Sequence, residues 1–300
     1  MAETGCFSRI LRWYVACLGV LFSQALIAAL PSSGPTHGLL WEIDRKDSPP
    51  SYLFGTMHSE EPGVISLAPV VERALTGSRQ VILEVNMDAD ALASGSMAML
   101  LTDGQRLSDI LGKSLFEQTV AALQARGIPG VVAEHIKPWA AATALSMPVP
   151  VTGQVLDRVL YQRAQQAGKP LHGLETIAEQ LEVFEGFSLD DQVALLRDAV
   201  VQVDGIDAMQ AELLAAYKRQ DLAAMMAINE AAMATGDQRL AGEFQRRLIV
   251  ERNHRMVERM EPWLKQGGAF VAVGALHLPG EEGLVNLLRE RGYSVRAVEY

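Results

Sequence analysis

The first part of the chain alternates short apolar runs with turns, a pattern that predicts strands and a short helix. The runs "HGLLWEID" and "SYLFGTMH" are joined by "RKDSPP", and the proline and aspartate in this connection favour a β-hairpin. The segment "APVVERALTGS" predicts a short helix that ends at Gly77. The run "QVILEVNM" contains three β-branched residues and is typical of a buried strand.

Residues 89–262 have a different pattern, rich in alanine, leucine, methionine and glutamine. Breaks at "GIPG", "KPW" and "MPVPVTG" divide this region into several helices. The segment "QVLDRVLYQRAQQAGKP" predicts a helix that ends before Gly168 and Pro170, and "LHGLE" predicts a short strand after it. A long helical stretch is expected from Leu189 to Lys265, with methionines that fill helix cores. We interpret the region as a mostly helical insert.

The end of the chain returns to strand patterns. "GGAFVAVGALHLPG" predicts a strand, "EEGLVNLLRERG" an amphipathic helix and "YSVRAVEY" a last strand, an order that suits a βαβ unit. The predicted fold class is therefore α/β, with a mixed sheet to which the N-terminal and C-terminal strand segments both contribute. Residues 30–300 are expected to form a single domain that contains the helical insert.

Residues 1–29 have the composition of a targeting segment. Arg9 and Arg12 precede the apolar stretch "WYVACLGVLFSQALIAAL", which is followed by small residues and proline. This order is typical of a secretory signal peptide, and the alternative is an uncleaved membrane anchor, because the stretch is barely long enough to span a bilayer. The expected location is periplasmic or secreted, with membrane attachment only through this segment if it remains uncleaved.

Charge and cysteine content exclude several classes of function. The formal net charge is −10, which excludes a nucleic-acid partner because no basic patch is available to neutralise phosphates. Both cysteines, Cys6 and Cys17, fall inside the N-terminal segment. The rest of the chain therefore has no disulfide, no thiolate nucleophile and no zinc–thiolate site.

Two segments near opposite ends of the chain share the pattern Gly-x-x-His at the exit of a predicted strand. They are Gly55–His58 and Gly274–His277. Period-two alternation places His58 on the same face as Thr56, and it places His277 on the same face as Ala275. The glycines allow another backbone or a ligand to approach closely. Two such segments in matching contexts predict that the two histidines share a site.

Glu84, in "VILEV", is the third candidate because it is flanked on both sides by strand-forming apolar residues. Burial of an unpaired carboxylate costs several kcal/mol, so a cation or hydrogen-bond donors must compensate it. Two histidines and a carboxylate suit a divalent metal such as zinc, manganese, cobalt or iron. The alternative is that Glu84 pairs with an arginine.

Three further polar residues are weaker candidates. Glu175 lies at a predicted strand exit in "HGLET", where helix capping by Thr176 explains part of the pattern without any chemistry. Arg252 and Asn253 lie in "VERNHRMVERM", on a helix whose arginines are expected to form mainly a solvated face. No His-Glu-x-x-His helix, Gly-x-Ser-x-Gly elbow or phosphate-binding glycine loop occurs in the sequence.

Taken together and in this order, several motifs resemble the TraB/GumN family, which is related to the Tiki metalloproteases and more distantly to erythromycin-esterase-like hydrolases. The motifs are "WEID…SYLFGTMHS", "VILEVNMD", "HGLET" with Gln180, "ERNHRM" and "VAVGALHLPGEEGLVNLLRERGYSV". The family pattern falls on these positions: Gly55, His58, Glu84, Asp157, Glu175, Arg252, Asn253, Gly274 and His277.

The resemblance implies a mixed α/β core of two related halves and a divalent metal such as manganese or cobalt. The expected function is an exported metal-dependent peptidase, in which His58 and His277 hold the metal and Glu84 is a third ligand or the base. Glu175 would complete the ligand set or relay a proton, and Arg252 with Asn253 would stabilise the oxyanion. The alternatives are a metal-free hydrolase in which histidine and glutamate activate water, and a non-catalytic protein that binds a peptide or a glycan.

Overall fold

The computed structural model describes residues 34–149, 151–234 and 236–300. The predicted signal peptide lies outside these residues. In the described part of the chain, no helix is long and apolar enough to cross a membrane. The fold is mixed α/β, as the sequence patterns predict. Its six strands are β1 (Leu40–Asp44), β2 (Ser51–Thr56), β3 (Gln80–Val85), β4 (Leu171–Glu175), β5 (Ala269–Gly274) and β6 (Ser294–Ala297).

The six strands form one mixed sheet in the order β4-β3-β5-β2-β1-β6. Strands β1 and β2 pair as the predicted antiparallel hairpin, with Trp41 opposite Leu53. Strand β5 is inserted between β2 and β3 and is parallel to both, and β4 is parallel to β3. Strand β6 is antiparallel to β1. Because β2, β3, β4 and β5 are parallel, their carboxyl ends meet at one edge of the sheet, where sheets of this kind bind ligands.

The helices occupy the connections between strands. Their bounds are Pro62–Ile65, Pro69–Gly77, Ala89–Ala98, Leu107–Ala125, Gly130–Ala133, Pro138–Ser146, Leu156–Gln166, Ile177–Glu185, Leu189–Gln202, Ile206–Lys218, Leu222–Met233, Gln238–Gln245, Glu251–Gln266 and Leu284–Glu290. The predicted long helical stretch from Leu189 to Lys265 is therefore a series of shorter helices. A π-helical segment, Arg246–Val250, leads into the last helix of this series.

The chain divides into two compact units. In their described parts, the first consists of Met87–Val151 and Ile177–Gln210, and the second consists of residues 34–86, Thr152–Thr176 and Ala211–Tyr300. All six strands belong to the second unit. Strand β4 falls inside the region interpreted as a helical insert, but it pairs with β3 as an edge strand of the sheet. The insert is therefore interrupted by a strand of the core.

The first unit is helical and has its own core. Every residue of the helix Pro138–Ser146 is buried, in agreement with the apolar character of "PWAAATALS". Within this core Trp139 stacks on Phe184 with ring centroids 5.3 Å apart, and its indole N–H donates to Glu185. Burial of such large rings contributes several kcal/mol to the stability of this unit.

Candidate functional site

The candidate site lies at the edge where the parallel strands end, within the second unit. Glu84 is in β3 and Glu175 is the last residue of β4. His58 follows β2 by two residues, and His277 follows β5 by three. The four side chains therefore come from four neighbouring strands, although they are far apart in the sequence. The two Gly-x-x-His segments therefore lie at the same edge of the sheet.

Gly55 has the role in close packing that the sequence suggested. A Cβ atom at this position would lie 2.7 Å from Leu278 Cδ1 and 3.1 Å from Ala275 Cα. A side chain here therefore requires the end of the Leu278 side chain to move and Ala275 to shift by a few tenths of an ångström. The register explains the proximity, because Gly55 pairs with Val273 and Thr56 with Gly274 on the parallel strands. The glycine in the first segment thus makes room for the second segment.

The two segments differ in backbone conformation. The expectation that Ala275 and His277 share a strand face is wrong, because the chain leaves β5 at Gly274 and forms a 3-10 turn over Ala275–His277. A period-two alternation applies only to extended chain. The turn carries the His277 side chain into the protein, where it is 1% exposed.

Asn253 determines which nitrogen of His277 carries the proton. The amide group donates from Nδ2 to the carbonyl oxygen of Glu282 at 2.6 Å, which fixes its orientation and leaves Oδ1 as an acceptor. His277 Nδ1 lies 2.6 Å from this Oδ1 and is therefore the donor. The lone pair is consequently on Nε2, which forms no hydrogen bond within the described residues and lies 3.8 Å from Glu84 Oε1.

The electrostatic surroundings keep the His277 imidazole neutral. Burial is the largest influence, the positive charge of Arg252 adds to it, and Glu84 opposes both, so that the pKa falls to about 3. At neutral pH the ring therefore carries no positive charge. It presents an unprotonated Nε2, which is the form that binds a metal or accepts a proton.

The two glutamates are linked by a buried arginine. Arg252 donates from Nη2 to Glu84 Oε2 at 2.9 Å and from Nε to Glu175 Oε2 at 2.8 Å, and its side chain is 1% exposed. Arg255 Nη2 lies 3.2 Å from the other oxygen of Glu175. The four side chains form an alternating series of charges, Glu84–Arg252–Glu175–Arg255, which we call the ion-pair chain. In such a chain each buried carboxylate is compensated.

Glu84 remains ionised in spite of its burial. Burial by itself raises the pKa of this carboxyl group, but Arg252, the two histidines and the backbone N–H of Gly274 lower it, and the net pKa is below the usual value. Since His277 is neutral near pH 7, Arg252 and the Gly274 N–H are the groups that hold the charge there. Glu84 thus pairs with an arginine and also faces His277.

His58 has a different partner. Its Nδ1 lies 3.4 Å from Asp157 Oδ2, and both side chains are 9% exposed. Thr56 Oγ1 donates to the other oxygen of Asp157 at 2.7 Å. Asp157 belongs to the first turn of the helix Leu156–Gln166, where the helix dipole favours a carboxylate. His58 is close enough to Glu84 to lower the pKa of that carboxyl group.

The donor types fit a divalent cation, although the side chains do not stand as a formed site. Imidazole nitrogens and a carboxylate oxygen are common ligands of zinc, manganese and cobalt. The unbonded Nε2 of His277, facing Glu84 Oε1, is the observation that supports the fit. Among the described residues, however, no three His, Cys, Asp or Glu side chains are close enough together to hold an ion as they stand.

The sequence patterns assign no role to two side chains at this edge, Asp157 and Arg255. Asp157 is marked only as a position shared with a family, and Arg255 is one of the arginines expected on a solvated face. The sequence does contain a signal for Arg255, because it lies three residues after Arg252 and so on the same side of the helix Glu251–Gln266. Nothing in the spacing of Asp157 indicates its partner, since Thr56 is 101 residues away.

Comparison with known proteins identifies the family. The family model described as TraB/PrgY/gumN matches residues 39–297. The chain therefore belongs to the TraB/PrgY/gumN family, which confirms the resemblance seen in the motifs.

The individual proteins that the chain resembles have low sequence identity to it. The chain is 26% identical over 312 residues to the Danio rerio protein named Metalloprotease TIKI1, covering 86% of this chain and 63% of that protein. It is 24% identical to Metalloprotease TIKI2 of Danio rerio, with 86% and 60% covered, and 23% identical to Metalloprotease TIKI1 of Homo sapiens, with 88% and 63% covered. The chain thus spans less than two thirds of the length of these relatives. No solved structure matches it significantly.

Proposed function

We propose that this chain is an exported hydrolase that cleaves peptide bonds with the help of a divalent metal such as manganese, cobalt or zinc. His58, His277 and Glu84 are the residues that would hold the metal. The names of the relatives support the reaction class, and the single observation that carries the proposal is the His277 imidazole. It is buried, neutral and fixed by Asn253, with its lone pair directed at an ionised carboxylate.

A divalent cation, when bound, polarises the substrate carbonyl and makes water a nucleophile near neutral pH. The chain itself supplies orientation and charge. Glu84 faces the His277 imidazole, so it is the carboxylate of the ion-pair chain that provides negative charge at the site. Its lowered pKa favours a role as a ligand over a role as a base.

The contacts of Glu175, Arg252 and Asn253 indicate that these residues position other side chains. Glu175 has both oxygens in contact with arginines and a fully buried side chain, which argues against proton relay or metal binding by this residue. Arg252 and Asn253 are occupied by Glu84 and by His277, respectively. In this proposal they position those two side chains and do not contact the oxyanion, contrary to the role that the resemblance implies for them.

The decisive experiment is an assay of the purified chain on a peptide library after removal of metal and reloading with manganese, cobalt or zinc. We expect activity to disappear on chelation, to return with one of the metals, and to be abolished in the variants His58→Ala and His277→Ala. His135→Ala removes an exposed imidazole of the first unit and is the matched control, for which full activity is expected.

Each alternative function gives a different result in the same assay. Hydrolysis that survives both chelation and the variant His58→Ala contradicts the metal-dependent proposal. Hydrolysis that survives chelation but requires His277 and Glu84 indicates the metal-free mechanism. Stoichiometric capture of a peptide or glycan, without turnover and unaffected by Glu84→Gln, indicates a binding protein.

A further inference from the structure

The surroundings of Asp157 carry an inference about His58. We infer that Asp157, oriented by Thr56, is a positioning residue that holds the proton of His58 on Nδ1 and leaves the lone pair on Nε2. This inference deepens the proposed function, on which its catalytic meaning rests. The position of the His58 proton can be measured without any enzymatic assay.

The hydroxyl group of Thr56 fixes the carboxylate of Asp157. Thr56 Oγ1 lies 2.7 Å from Asp157 Oδ1, and the two residues are 1% and 7% exposed. An ionised carboxylate only accepts hydrogen bonds, so the hydroxyl is the donor. Because Thr56 is the last residue of β2, this bond ties the carboxylate to the sheet. The second oxygen, Oδ2, is directed to the side where the chain continues to His58.

Asp157 Oδ2 is buried and forms no hydrogen bond within the described part of the chain. Burial of a carboxylate oxygen without a donor is unfavourable, so a donor within reach is strongly favoured. The Nδ1 atom of His58 is 3.4 Å away. That separation exceeds the distance of about 2.7–2.9 Å in a charge-assisted hydrogen bond, and hydrogen bonds of this kind are often long in a site without its ligand.

A rival donor near this carboxylate is already engaged. Tyr217 is close enough to Asp157 for the carboxylate to contribute to raising its pKa, after the larger effects of burial and of Tyr300. Its hydroxyl, however, donates to the carbonyl oxygen of Gly55 at 2.8 Å. The proton that satisfies Asp157 Oδ2 is therefore the one on His58 Nδ1.

The resulting arrangement gives both histidines the same tautomer by different means. Asn253 Oδ1 fixes the proton of His277 on Nδ1, and Asp157 Oδ2 does so for His58. A partner that accepts the Nδ1 proton sets the ring orientation, and an anionic partner also increases the basicity of Nε2. His58 is therefore expected to be the stronger electron donor of the two.

A simpler interpretation is that Asp157 only ties the helix Leu156–Gln166 to strand β2 through Thr56. The variant Asp157→Asn separates the two interpretations. Its Oδ1 still accepts from Thr56, so the tie remains, but its Nδ2 donates and cannot accept the His58 proton. The proton should then move to His58 Nε2, with the fold unchanged.

The first readout is the tautomer of His58 in the metal-free full chain, labelled with ¹⁵N at histidine and examined by long-range ¹H–¹⁵N correlation at a pH where the ring is neutral. Loss of signals in His58→Gln assigns the ring. We expect Nδ1–H in the parent chain, Nε2–H in Asp157→Asn and a mixture in Thr56→Val, which keeps the carboxylate but removes its tie. Asp44→Asn, at an exposed carboxylate paired with Arg296, should leave the spectrum unchanged.

The second readout is the affinity for Mn²⁺ alone, measured by calorimetry. We expect a loss of roughly 10- to 100-fold in Asp157→Asn, the usual consequence of removing the partner of a metal-binding histidine. A His58 tautomer that is the same in the parent chain, Asp157→Asn and Thr56→Val overturns the inference, even if activity falls. If the parent chain hydrolyses no peptide but Asp157→Asn moves the proton, the proposed function fails and the assignment of Asp157 stands.

Discussion

The two Gly-x-x-His segments have the same sequence pattern and different surroundings. After Gly55 the chain continues as an irregular loop, and His58 meets a carboxylate, Asp157, that a threonine holds in place. After Gly274 the chain turns into a 3-10 helix, and His277 meets an amide, Asn253. His277 Nε2 lies 3.8 Å from Glu84 Oε1, and Glu84 is the first member of the ion-pair chain.

Strand register and helix contacts have separate effects on the two histidines. Pairing of Thr56 with Gly274 on parallel strands brings the two segments to one edge of the sheet. The partners that set proton positions and charges come from helices elsewhere in the chain, at Asp157 and Asn253. A repeated motif can therefore yield two histidines with unlike electrostatics.

The largest expected difference between the segments is a pH dependence of stability that belongs to His277. Its pKa is about 3 in the folded chain, whereas the ordinary value of 6.5 applies once the chain is unfolded. The unfolded state therefore takes up the proton first, and stability is lost as the pH falls from 6.5 to 3, by up to about 5 kcal/mol. Urea unfolding over this pH range should show a smaller loss for His277→Gln than for the parent chain.

His135→Gln controls for the removal of an imidazole, because this residue is exposed in the first unit. Parallel pH curves for His277→Gln and the parent chain would contradict the burial of a neutral ring at this position.

The next effect concerns Arg252, which pairs with Glu84, the carboxylate that His277 of the second segment faces. Replacement by leucine leaves Glu84 and Glu175 buried without their shared cation, and breaking a buried pair in this way costs about 3–5 kcal/mol. The free energy of unfolding by denaturant measures the loss. Arg296→Leu is the matched control, because that side chain is 65% exposed and pairs with Glu42 and Asp44 at the surface. Its loss should be below about 1 kcal/mol, and equal losses in the two variants would refute the ion-pair chain.

The contact between the segments is tested by Gly55→Ala. The added Cβ meets Leu278 and Ala275 at 2.7 and 3.1 Å, so the variant should lose about 1–3 kcal/mol as an overpacked core does. Gly77→Ala provides the comparison, since no atom lies within 4 Å of its Cβ position. Its change should stay below about 1 kcal/mol. Thermal unfolding of both variants gives the answer, and similar midpoints would mean that the segments do not touch as described.

The smallest effect is expected for Tyr217→Phe, which acts only on the first segment. The variant removes a buried hydrogen bond of 2.8 Å to the Gly55 carbonyl, at a cost of about 1 kcal/mol. Tyr52→Phe removes a longer, partly buried bond to Glu42 at 3.4 Å and should cost less. Denaturant unfolding measured side by side ranks the two, and the reverse ranking would disagree with the structure.

Local patterns predicted most of the secondary structure. The hairpin of β1 and β2, the helix that ends at Gly77, the strand around Glu84 and the short strand before Glu175 all occur as expected. Each depends on a run of apolar residues bounded by glycine, proline or a turn. Such signals act over a few residues, and the sequence displays them directly.

These local patterns did not predict the order of the strands or the pairing of β4 with β3. Strand β5 lies between β2 and β3, although about 180 residues separate it from β3 in the sequence. An apolar run indicates that a strand is buried. It does not indicate which strands pair with it, because pairing depends on long-range packing. The 3-10 turn at Ala275–His277, which packs closely against Gly55, was likewise not predicted.

Sequence patterns alone were enough to select the candidates for the site: two histidines behind glycines at strand exits, and a glutamate in an apolar strand. Their residue types and their positions along strands are properties of the chain alone. The protonation states and partners of these side chains depend on the folded structure. Arg252 keeps Glu84 ionised, and Asn253 fixes the proton of His277. Asp157 approaches His58. A proton's position depends on the groups within a few ångström, and distant parts of the sequence supply those groups only after folding.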